Sequence, residues 1–535
     1  MPDPTLRAAD VLARRLYLAG CRYAFGMPGG EVLTLVDALE NAGITFVLAR
    51  HENAAGFMAE GTYHRTGAPG ILVSTVGPGA LNGVNVVENA RQDRVPMVVL
   101  TGCVDADMAH TYTHQVLDQP AVFSAVTKHS FTLSAASAHV IADKAVSMCM
   151  EEQQGPVHID VPISVADQDA LGEGELRPPA IPVVPSDVVM LREILSRAKR
   201  PLIVAGVDAV AQDAGAEITA IAERLGAPVI TTYKAKGIMP ESHKLAMGGA
   251  GLSPLADEIL LPLVAEADVV LCLGYDPIEM RAGWQNPWDL SHQTVIDVTA
   301  VPNHHYMHQA SYNVVGSCRE TASELLPEYS EANWPDGRLA QVKTDLANVF
   351  APEPEWGPAA AIATCQRVLP PDTLGSADSG AHRILLSQMW QCEFPRALVQ
   401  SSGLCTMGCA VPLAMGQSIV EPNRTVVSFS GDAGFLMVVG ELATAADLGL
   451  KTIFVVFVDA SLALIELKQR GRQMKNRGVD FGRSDFAAIA RAFGGAGHCV
   501  RSTNELTEAL NTAQMADTFT VIAVEIERGA YDGRI

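Results

Sequence analysis

The sequence predicts an α/β protein of three doubly wound domains, each with a parallel sheet. Short apolar runs alternate with segments of helical period along most of the chain, which is typical of strand–helix–strand units. The 535 residues are enough for about three ordinary domains. Two Pro-rich stretches, 177–185 and 352–358, interrupt the pattern and are expected to be linkers. The predicted domains span residues 1–170, 186–330 and 358–535.

The predicted strands are short apolar runs bounded by turn residues. In the first domain they are Tyr23–Gly26, Phe46–Ala49, Ile71–Thr75, Met97–Thr101 and Val157–Val161. In the second domain they are Leu202–Ala205, Val229–Thr232, Val269–Gly274 and Val295–Val298. In the third domain they are Leu398–Ser401, Val426–Ser430, Ile453–Val458 and Val521–Ile526. Ligands of doubly wound sheets bind beyond the carboxyl ends of the strands, so the residues that follow these runs are the candidates for a functional site.

Composition argues against several partners. The formal net charge of −22 argues against nucleic acid or an anionic membrane as a partner. No apolar run reaches the length of a membrane span, and the first residues lack the features of a signal peptide. The 10 cysteines are scattered without a C-x-x-C pair, so we expect reduced thiols in a cytoplasmic protein.

Two acidic residues follow predicted strands of the third domain. The strand Val426–Ser430 is followed by Gly431 and Asp432, and the strand Ile453–Val458 is followed by Asp459. Two carboxylates at neighbouring strand ends suit a hard divalent cation, and the small residues beside Asp432 let the backbone approach a phosphate. Either acid taken alone is equally well explained as a helix cap or a strand end.

The pair resembles the metal-binding motif of the thiamine diphosphate enzymes, Gly-Asp-Gly followed at the same spacing by Asn-Asn. The resemblance implies a Mg²⁺ or Mn²⁺ ion held by Asp432, Asp459 and the backbone carbonyl of Ser461. The small residues assigned to the diphosphate are Gly431, Ala433 and Gly434. Ala433 replaces the usual second Gly, and Asp459 replaces the second Asn. The carboxylate of Asp459 keeps an oxygen ligand for the metal but adds a negative charge beside the diphosphate.

A Glu at the start of a predicted helix of the first domain is the main catalytic candidate. On its own, Glu52 is explained by the preference for acids at helix N-termini. In context, Arg50-His51-Glu52 resembles the segment whose Glu hydrogen-bonds a pyrimidine nitrogen of thiamine diphosphate and so activates the cofactor. The glycine loops that flank this site in the family are matched by Gly29, Gly30 and Gly77.

Other segments match the same family. The turn 378–382 resembles a diphosphate-binding turn and assigns the cofactor to Gly380, Ala381 and His382. The segment 403–408 resembles Gly-Leu-Gly-Thr-Met-Gly, which assigns Leu404 to the cofactor and places Met407 beneath it. Within 113–118, Gln115 is implied as an auxiliary catalytic residue and His114 as a proton carrier.

A nicotinamide cofactor is not favoured. The segment 76–82 follows a strand and begins like a dinucleotide fingerprint, but Asn82 stands where the third glycine is required. The segment 267–279 resembles the flavin-free, catabolic acetolactate synthases more than the biosynthetic ones, so FAD is not expected.

The resemblance covers nearly the whole chain and implies a reaction. A 2-oxo acid is decarboxylated, and the remaining fragment is joined to a second carbonyl as in the acetolactate synthases. It also implies a homodimer or homotetramer with the active site at the subunit interface. Lys468 stands where biosynthetic members carry a substrate-selecting Trp, and it either pairs with a second acidic group on the substrate or is a solvated helical lysine. A simple 2-oxo acid decarboxylase and a non-catalytic relative remain the alternatives.

Overall fold

Three parallel six-stranded sheets make up the computed structural model, which describes residues 6–172, 174, 184–186 and 188–535. Helices cover the sheets, so the predicted fold class is confirmed. Most of the Pro-rich stretch 177–185, predicted as a linker, lies outside the described residues. Within the described residues, no helix is both long enough and apolar enough to cross a membrane.

The first sheet has the strand order β2-β1-β3-β4-β6-β5. Its strands are β1 Tyr23–Met27, β2 Thr45–Leu48, β3 Gly70–Ser74, β4 Met97–Cys103, β5 Ser130–Thr132 and β6 Pro156–Pro162. Its helices are α1 Ala8–Leu18, α2 Leu33–Asn41, α3 Glu52–Thr66, α4 Pro78–Gln92, α5 Gln119–Ser124, α6 Ala138–Met150 and α7 Ile163–Ala166. The order reverses between β1 and β3, and a ligand crevice is expected beyond the carboxyl ends of these two strands.

The second sheet has the order β12-β11-β10-β7-β8-β9. Its strands are β7 Pro201–Ala205, β8 Val229–Thr231, β9 Ala246–Gly249, β10 Val269–Leu273, β11 Thr294–Thr299 and β12 Tyr312–Val315. The helices of this region are α8 Val188–Arg197, α9 Val207–Ala211, α10 Gly215–Leu225, α11 Pro254–Glu266, α12 Cys318–Leu325 and α13 Arg338–Val349.

The third sheet, β14-β13-β15-β16-β18-β17, repeats the strand order of the first. Its strands are β13 Leu374–Ala377, β14 Leu398–Gln400, β15 Val426–Gly431, β16 Ile453–Val458, β17 Ala496–Val500 and β18 Thr520–Glu525. Its helices are α14 Pro358–Val368, α15 Ala381–Met389, α16 Ala410–Val420, α17 Asp432–Met437, α18 Glu441–Asp447, α19 Ala463–Gly471, α20 Phe486–Ala492 and α21 Thr503–Gln514. Here the order reverses between β13 and β15.

The apolar runs predicted as strands form strands within one or two residues of the predicted limits. The short strands β5, β9, β12, β13 and β17 were not predicted. β12 and β17 lie at sheet edges and are only partly buried, and β13 is rich in small residues. Such strands lack the continuous apolar run that identifies a strand buried on both faces.

The first and third domains pack through α3 and α16. A Cβ on Gly61 would lie 2.4 Å from the carbonyl oxygen of Leu413, and one on Gly416 would lie 2.2 Å from that of Met58. The two helices therefore meet at backbone distance. This contact places the first and third sheets of one chain side by side in a single hydrophobic core.

Glu60 is buried on α3 near this contact. Its Oε2 accepts a hydrogen bond of 3.2 Å from Asn89, and His64 Nε2 lies 3.3 Å from its Oε1. Burial raises the pKa of Glu60 from 4.5 to about 7, against the opposing charge of Lys234. Because the folded state holds this proton more tightly than the unfolded chain, its contribution to stability is lost as the pH rises from about 4.5 to 7.

We expect Glu60→Gln to stabilise the protein at pH 8 and to have little effect near pH 4. The amide keeps an acceptor but never ionises, so the free energy of unfolding should rise by about 2 kcal/mol at pH 8. Urea denaturation at both pH values measures the difference. Glu40→Gln, at an exposed position of α2, should show no such pH dependence, and an equal gain for Glu60→Gln at both pH values would contradict the explanation.

Candidate active site

Asp378 organises the crevice at the strand reversal of the third sheet. It directly follows β13 and is completely buried. Its carboxylate accepts hydrogen bonds from the backbone N–H groups of Ser379 (2.9 Å), Gly408 (3.0 Å) and Cys409 (3.2 Å). Burial raises its pKa to about 6, against these hydrogen bonds. A Cβ on Gly434 would lie 1.9 Å from Asp378 Oδ2, so a glycine is required at this position.

Asp432 and Asp459 lie at the carboxyl ends of the neighbouring strands β15 and β16. The Oδ1 of Asp432 accepts a hydrogen bond from Ala433 N–H (2.8 Å), and its Oδ2 accepts one from Ala460 N–H (2.7 Å). The Oδ1 of Asp459 accepts one from Ser461 N–H (3.1 Å). Burial and then the charge of Asp432 raise the pKa of Asp459 to about 7, and burial raises that of Asp432. A bound cation would favour the ionised form of both carboxylates and so lower both pKa values.

A cavity of about 240 Å³ lies beside this pair. It brings together residues that the sequence predicted as cofactor or metal contacts. These residues are Gly380, Ala381, His382, Met407, Gly431, Asp432, Ala433, Gly434, Asp459 and Ser461. Leu404 lines a separate cleft between the first and third domains, which Met407 also lines. Arg281, Tyr531 and the apolar start of α19 also line the cavity.

Unpaired polar atoms in this cavity fit a bound diphosphate. His382 is 3% exposed, and its Nε2 has no hydrogen-bond partner among the described residues. The Oγ of Ser379 is likewise buried and unpaired within that part of the chain. Burial, with the charge of Arg383, lowers the pKa of His382 to about 3, so its ring is neutral. Buried polar groups without partners are uncommon, so a polar ligand at this position is chemically reasonable. α15, which begins at Ala381, directs its first N–H groups to the same end of the sheet.

In the first domain, Glu52 is the first residue of α3. It is 4% exposed, and its Oε2 accepts a hydrogen bond of 3.0 Å from Asn82 Nδ2. A Cβ on Gly79 would lie 3.1 Å from Glu52 Oε1. Within the described residues, no cationic side chain forms an ion pair with Glu52. The carboxylate is therefore buried, oriented by an amide and able to accept a further hydrogen bond.

The glycine loops lie at the strand reversal of the first sheet. A Cβ on Gly29 would lie 2.2 Å from Thr75 Oγ1, so the loops after β1 and β3 touch. Gly77 has φ of 70°, and a Cβ there would lie 2.8 Å from the carbonyl oxygen of Gln115. The neighbouring loop carries Gln115 and His114, whose side chains are exposed. Gly30 has open space on its Cβ side.

Within one chain, the residues that line the third-domain cavity do not meet Glu52 and the glycine loops of the first domain. The described residues that line the third-domain cavity include none from the first domain. Glu52 and the glycine loops therefore belong to a different surface of the same chain. Lys468 is exposed on α19 and is not a lining residue of the cavity.

Models of known protein families match the chain in three places. The thiamine pyrophosphate enzyme N-terminal TPP binding domain matches residues 6–122, the central domain matches 190–325, and the C-terminal TPP binding domain matches 378–524. These matches follow the order of the three sheets and together cover most of the chain. The chain belongs to the thiamine pyrophosphate enzymes.

Relatives within this enzyme family are similar over nearly their whole length. The acetolactate synthase of Bacillus subtilis is 27% identical over 97% of this chain and 93% of its own. The catabolic acetolactate synthase of Raoultella terrigena is 26% identical over 97% of this chain and 95% of its own. A probable 2-ketoarginine decarboxylase of Pseudomonas aeruginosa is 29% identical over 95% of this chain and 91% of its own.

Several residues at this thiamine pyrophosphate enzyme site were not identified from the sequence. Asn82 was noted only because it breaks a dinucleotide fingerprint, yet it orients Glu52. Arg281 and Tyr531 reach the cavity from the second domain and from the C-terminal segment. Arg281 follows β10 by several residues, at the reversal between β7 and β10 that only the structure reveals.

In this thiamine pyrophosphate enzyme, the loop 401–407 is held by the other two domains of the same chain. Asp93 follows α4, and its carboxylate accepts hydrogen bonds from the N–H groups of Ser402 (3.2 Å) and Gly403 (2.8 Å). The Nζ of Lys234, from the second domain, lies 3.1 Å from Asp93 Oδ2. Asp93 is 2% exposed, so this ion pair is shielded from solvent.

Asn89, one turn earlier on α4, adds a second contact. Its Oδ1 accepts a hydrogen bond of 2.5 Å from Ser401 Oγ, which in turn accepts one of 2.9 Å from the N–H of Thr406. The loop that carries Leu404 and Met407 is thus fixed at both of its ends. Residues of the first domain therefore position a loop of the third domain whose Met407 lines the third-domain cavity.

We expect Asp93→Asn to loosen this loop. The substitution removes the charged acceptor and one anionic partner of Lys234, so the free energy of unfolding should fall by about 2 kcal/mol. The Kd for thiamine diphosphate should rise by about tenfold. Urea denaturation and a cofactor titration followed by tryptophan fluorescence measure the two effects.

The exposed pair Lys451–Asp517 offers a matched control. Its atoms are 2.9 Å apart, but the Asp517 side chain is 98% exposed. Asp517→Asn should leave both the free energy of unfolding and cofactor binding unchanged, because solvent screens an exposed ion pair. Equal effects of Asp93→Asn and Asp517→Asn would argue against the positioning role of Asp93.

Proposed function

We propose that this chain uses thiamine diphosphate and Mg²⁺ or Mn²⁺ to decarboxylate a 2-oxo acid and to join the remaining fragment to a second carbonyl. The single observation that carries the proposal is Glu52, a buried carboxylate at the start of α3 that an amide orients and that has no cationic partner among the described residues. A family member without catalysis has no need of such a group. The relatives named as acetolactate synthases favour carboligation.

Thiamine diphosphate, when bound, supplies the carbon that attacks the 2-oxo group and accepts the electron pair released with carbon dioxide. Glu52 would hold a proton at a ring nitrogen of the cofactor, and Asn82 would keep its carboxylate in position. Asp432, Asp459 and the carbonyl of Ser461 would hold the metal. His382 and the backbone of Gly380 would face the diphosphate.

Other side chains would act on the substrate. Gln115 would orient it, and His114, whose ring is exposed, would carry a proton. Arg281 lines the cavity, and its guanidinium would attract a carboxylate. Leu464 and Ile465, on the same wall, would exclude water from the reacting carbon.

Release of an aldehyde is the alternative outcome, and Arg281 is the observation that favours it. A cationic residue at the cavity wall suits a 2-oxo acid with a second acidic group, and such an acid is a poorer candidate for carboligation with itself. The relative named a 2-ketoarginine decarboxylase has a cationic substrate by that name, and Arg281 would repel such a side chain. A second acidic group would also suit Lys468 if α19 moves toward the cavity.

We propose that the enzyme works without FAD. The crevice between β7 and β10 is closed by the chain itself, since a Cβ on Gly206 would lie 2.4 Å from the carbonyl oxygen of Gly274. The Oδ2 of Asp297 on β11 already has two partners within the chain, His308 (3.0 Å) and Asn303 (3.2 Å). Both observations favour contacts within the chain over a dinucleotide at this position.

We propose a homodimer as the minimum unit and a homotetramer as its assembly, with the active site between subunits. Apolar side chains are exposed near the strand ends of the first domain, including Met27, Leu48 and Leu81. Such a surface suits a partner subunit. A cytoplasmic location is also our proposal, supported by the 10 cysteines, all described and none in a disulfide.

The proposed reaction is tested with a panel of 2-oxo acids, thiamine diphosphate and Mg²⁺. We expect carbon dioxide release from pyruvate with acetolactate as the product identified by mass spectrometry. Glu52→Gln should lower kcat by at least about 100-fold because the amide cannot hold the proton, while cofactor binding persists. Glu40→Gln, at the exposed position of α2, should keep full activity.

Preference for a larger or doubly acidic substrate with aldehyde release would replace carboligation by the alternative. No turnover of any 2-oxo acid by a protein that binds the cofactor would overturn both. In that case the chain would be a non-catalytic relative that binds the cofactor.

The subunit arrangement is tested by complementation. Glu52→Gln and Asp432→Asn should each be inactive, because each damages every site. In a refolded mixture, about half of the dimers should contain one chain of each kind. One of the two sites in such a dimer combines an intact Glu52 with an intact Asp432, so about a quarter of the wild-type activity should return. No recovery would place both residues in the site of one chain.

A further inference from the structure

Asp432 and Asp459 carry two negative charges into the protein interior. They are 3% and 4% exposed. Their carboxylate oxygens accept hydrogen bonds from the backbone N–H groups of Ala433, Ala460 and Ser461. Within the part of the chain that the structure describes, neither carboxylate forms an ion pair. Burial of ionised carboxylates without a counter-ion raises the free energy of the folded protein. A cation bound between the two carboxylates would lower it.

The neighbouring Arg528 does not fill this role. Its Nε donates to the carbonyl oxygen of Asp459 (3.3 Å), and its Nη2 donates to that of Ala460 (3.1 Å). Its Nη1 lies 3.2 Å from Asp480 Oδ2. Arg528 therefore holds the loop that follows β16 and pairs with a different carboxylate.

The polar groups suited to phosphate lie apart from the acidic pair in the same cavity. His382 is buried and its Nε2 is unpaired among the described residues, as is Ser379 Oγ. These atoms follow β13, whereas the two acids follow β15 and β16. The cavity thus has one part suited to a cation and another part suited to an anion, and different residues form the two parts.

We propose that the Asp432–Asp459 pair binds a divalent cation in the absence of thiamine diphosphate, so that the cofactor enters a site already loaded with metal. Two carboxylates balance the charge of a divalent ion, and oxygen ligands suit Mg²⁺ or Mn²⁺. A diphosphate that arrives before the ion meets two negative charges in a poorly solvated cavity and is repelled. The proposal rests on the proposed function, which assigns this cavity to the metal and the diphosphate.

The test uses the full-length, cofactor-free protein and Mn²⁺ alone. Electron paramagnetic resonance of the free ion gives the Kd and the number of ions bound. We expect a single tight site per chain in the wild type, and a Kd raised by at least about tenfold in Asp459→Asn, because ligand charge governs affinity. Asp432→Asn, which removes the other carboxylate, must give a loss as well.

Glu466→Gln is the matched control. Glu466 lines the adjoining polar cavity rather than this one, and its Oε2 pairs with Arg470 at 3.0 Å. The substitution removes a nearby negative charge without removing a ligand, so the Kd for Mn²⁺ should stay within about twofold. Circular dichroism and the thermal midpoint establish that each variant is folded.

Thiamine diphosphate titrations, with and without Mn²⁺, separate this proposal from the proposed function. Binding of the cofactor only after Mn²⁺ supports both. If the wild type binds no Mn²⁺ in the absence of thiamine diphosphate, or binds it with the same Kd as Asp459→Asn, the metal-first proposal is overturned. If thiamine diphosphate still binds when Mn²⁺ is present, the proposed function is retained in that case. If thiamine diphosphate fails to bind the Mn²⁺-loaded protein, both are overturned.

Discussion

The parallel pairing of β15 with β16 is the constraint on which the chemistry of the third domain depends. Parallel strands end at the same edge of a sheet, so Asp432 and Asp459, far apart in the chain, become neighbours there. The Ala460 N–H then bonds Asp432 Oδ2 and ties the two strand ends together. The low exposure of both acids follows from their place between strand ends and the loops that cover them.

The first and third domains share a strand order but use it differently. In the third domain, Asp378 at the reversal holds two loops by accepting backbone N–H groups, and the cavity forms beside it. In the first domain the same position is occupied by glycine loops, and the carboxylate lies on α3 instead. The contact between α3 and α16 keeps the two domains of one chain together, while their functional edges lie on separate surfaces.

The stability of the chain and its proposed function are linked through buried polar groups. Asp93 and Asn89 satisfy N–H and O–H groups of the loop 401–407, and Lys234 brings the second domain into the same network. A loop that faces a ligand cavity cannot be covered by apolar packing on that side. The polar contacts that Asp93 and Asn89 make with this loop therefore hold Met407 in place.

The sequence by itself determined the fold class, most strands, and the residues whose chemistry follows from local pattern. Glu52, the pair Asp432 and Asp459, and the glycine loops each adjoin an apolar strand, and their resemblance to the motifs of the thiamine diphosphate enzymes assigned them to the site. Edge strands such as β17 were missed because partial burial leaves no continuous apolar run. The roles of Asp93, Asn82 and Arg281 were decided only by the tertiary structure. Each acts on a partner that is distant in the sequence. Such contacts arise from the packing of domains and cannot be predicted from the local sequence pattern.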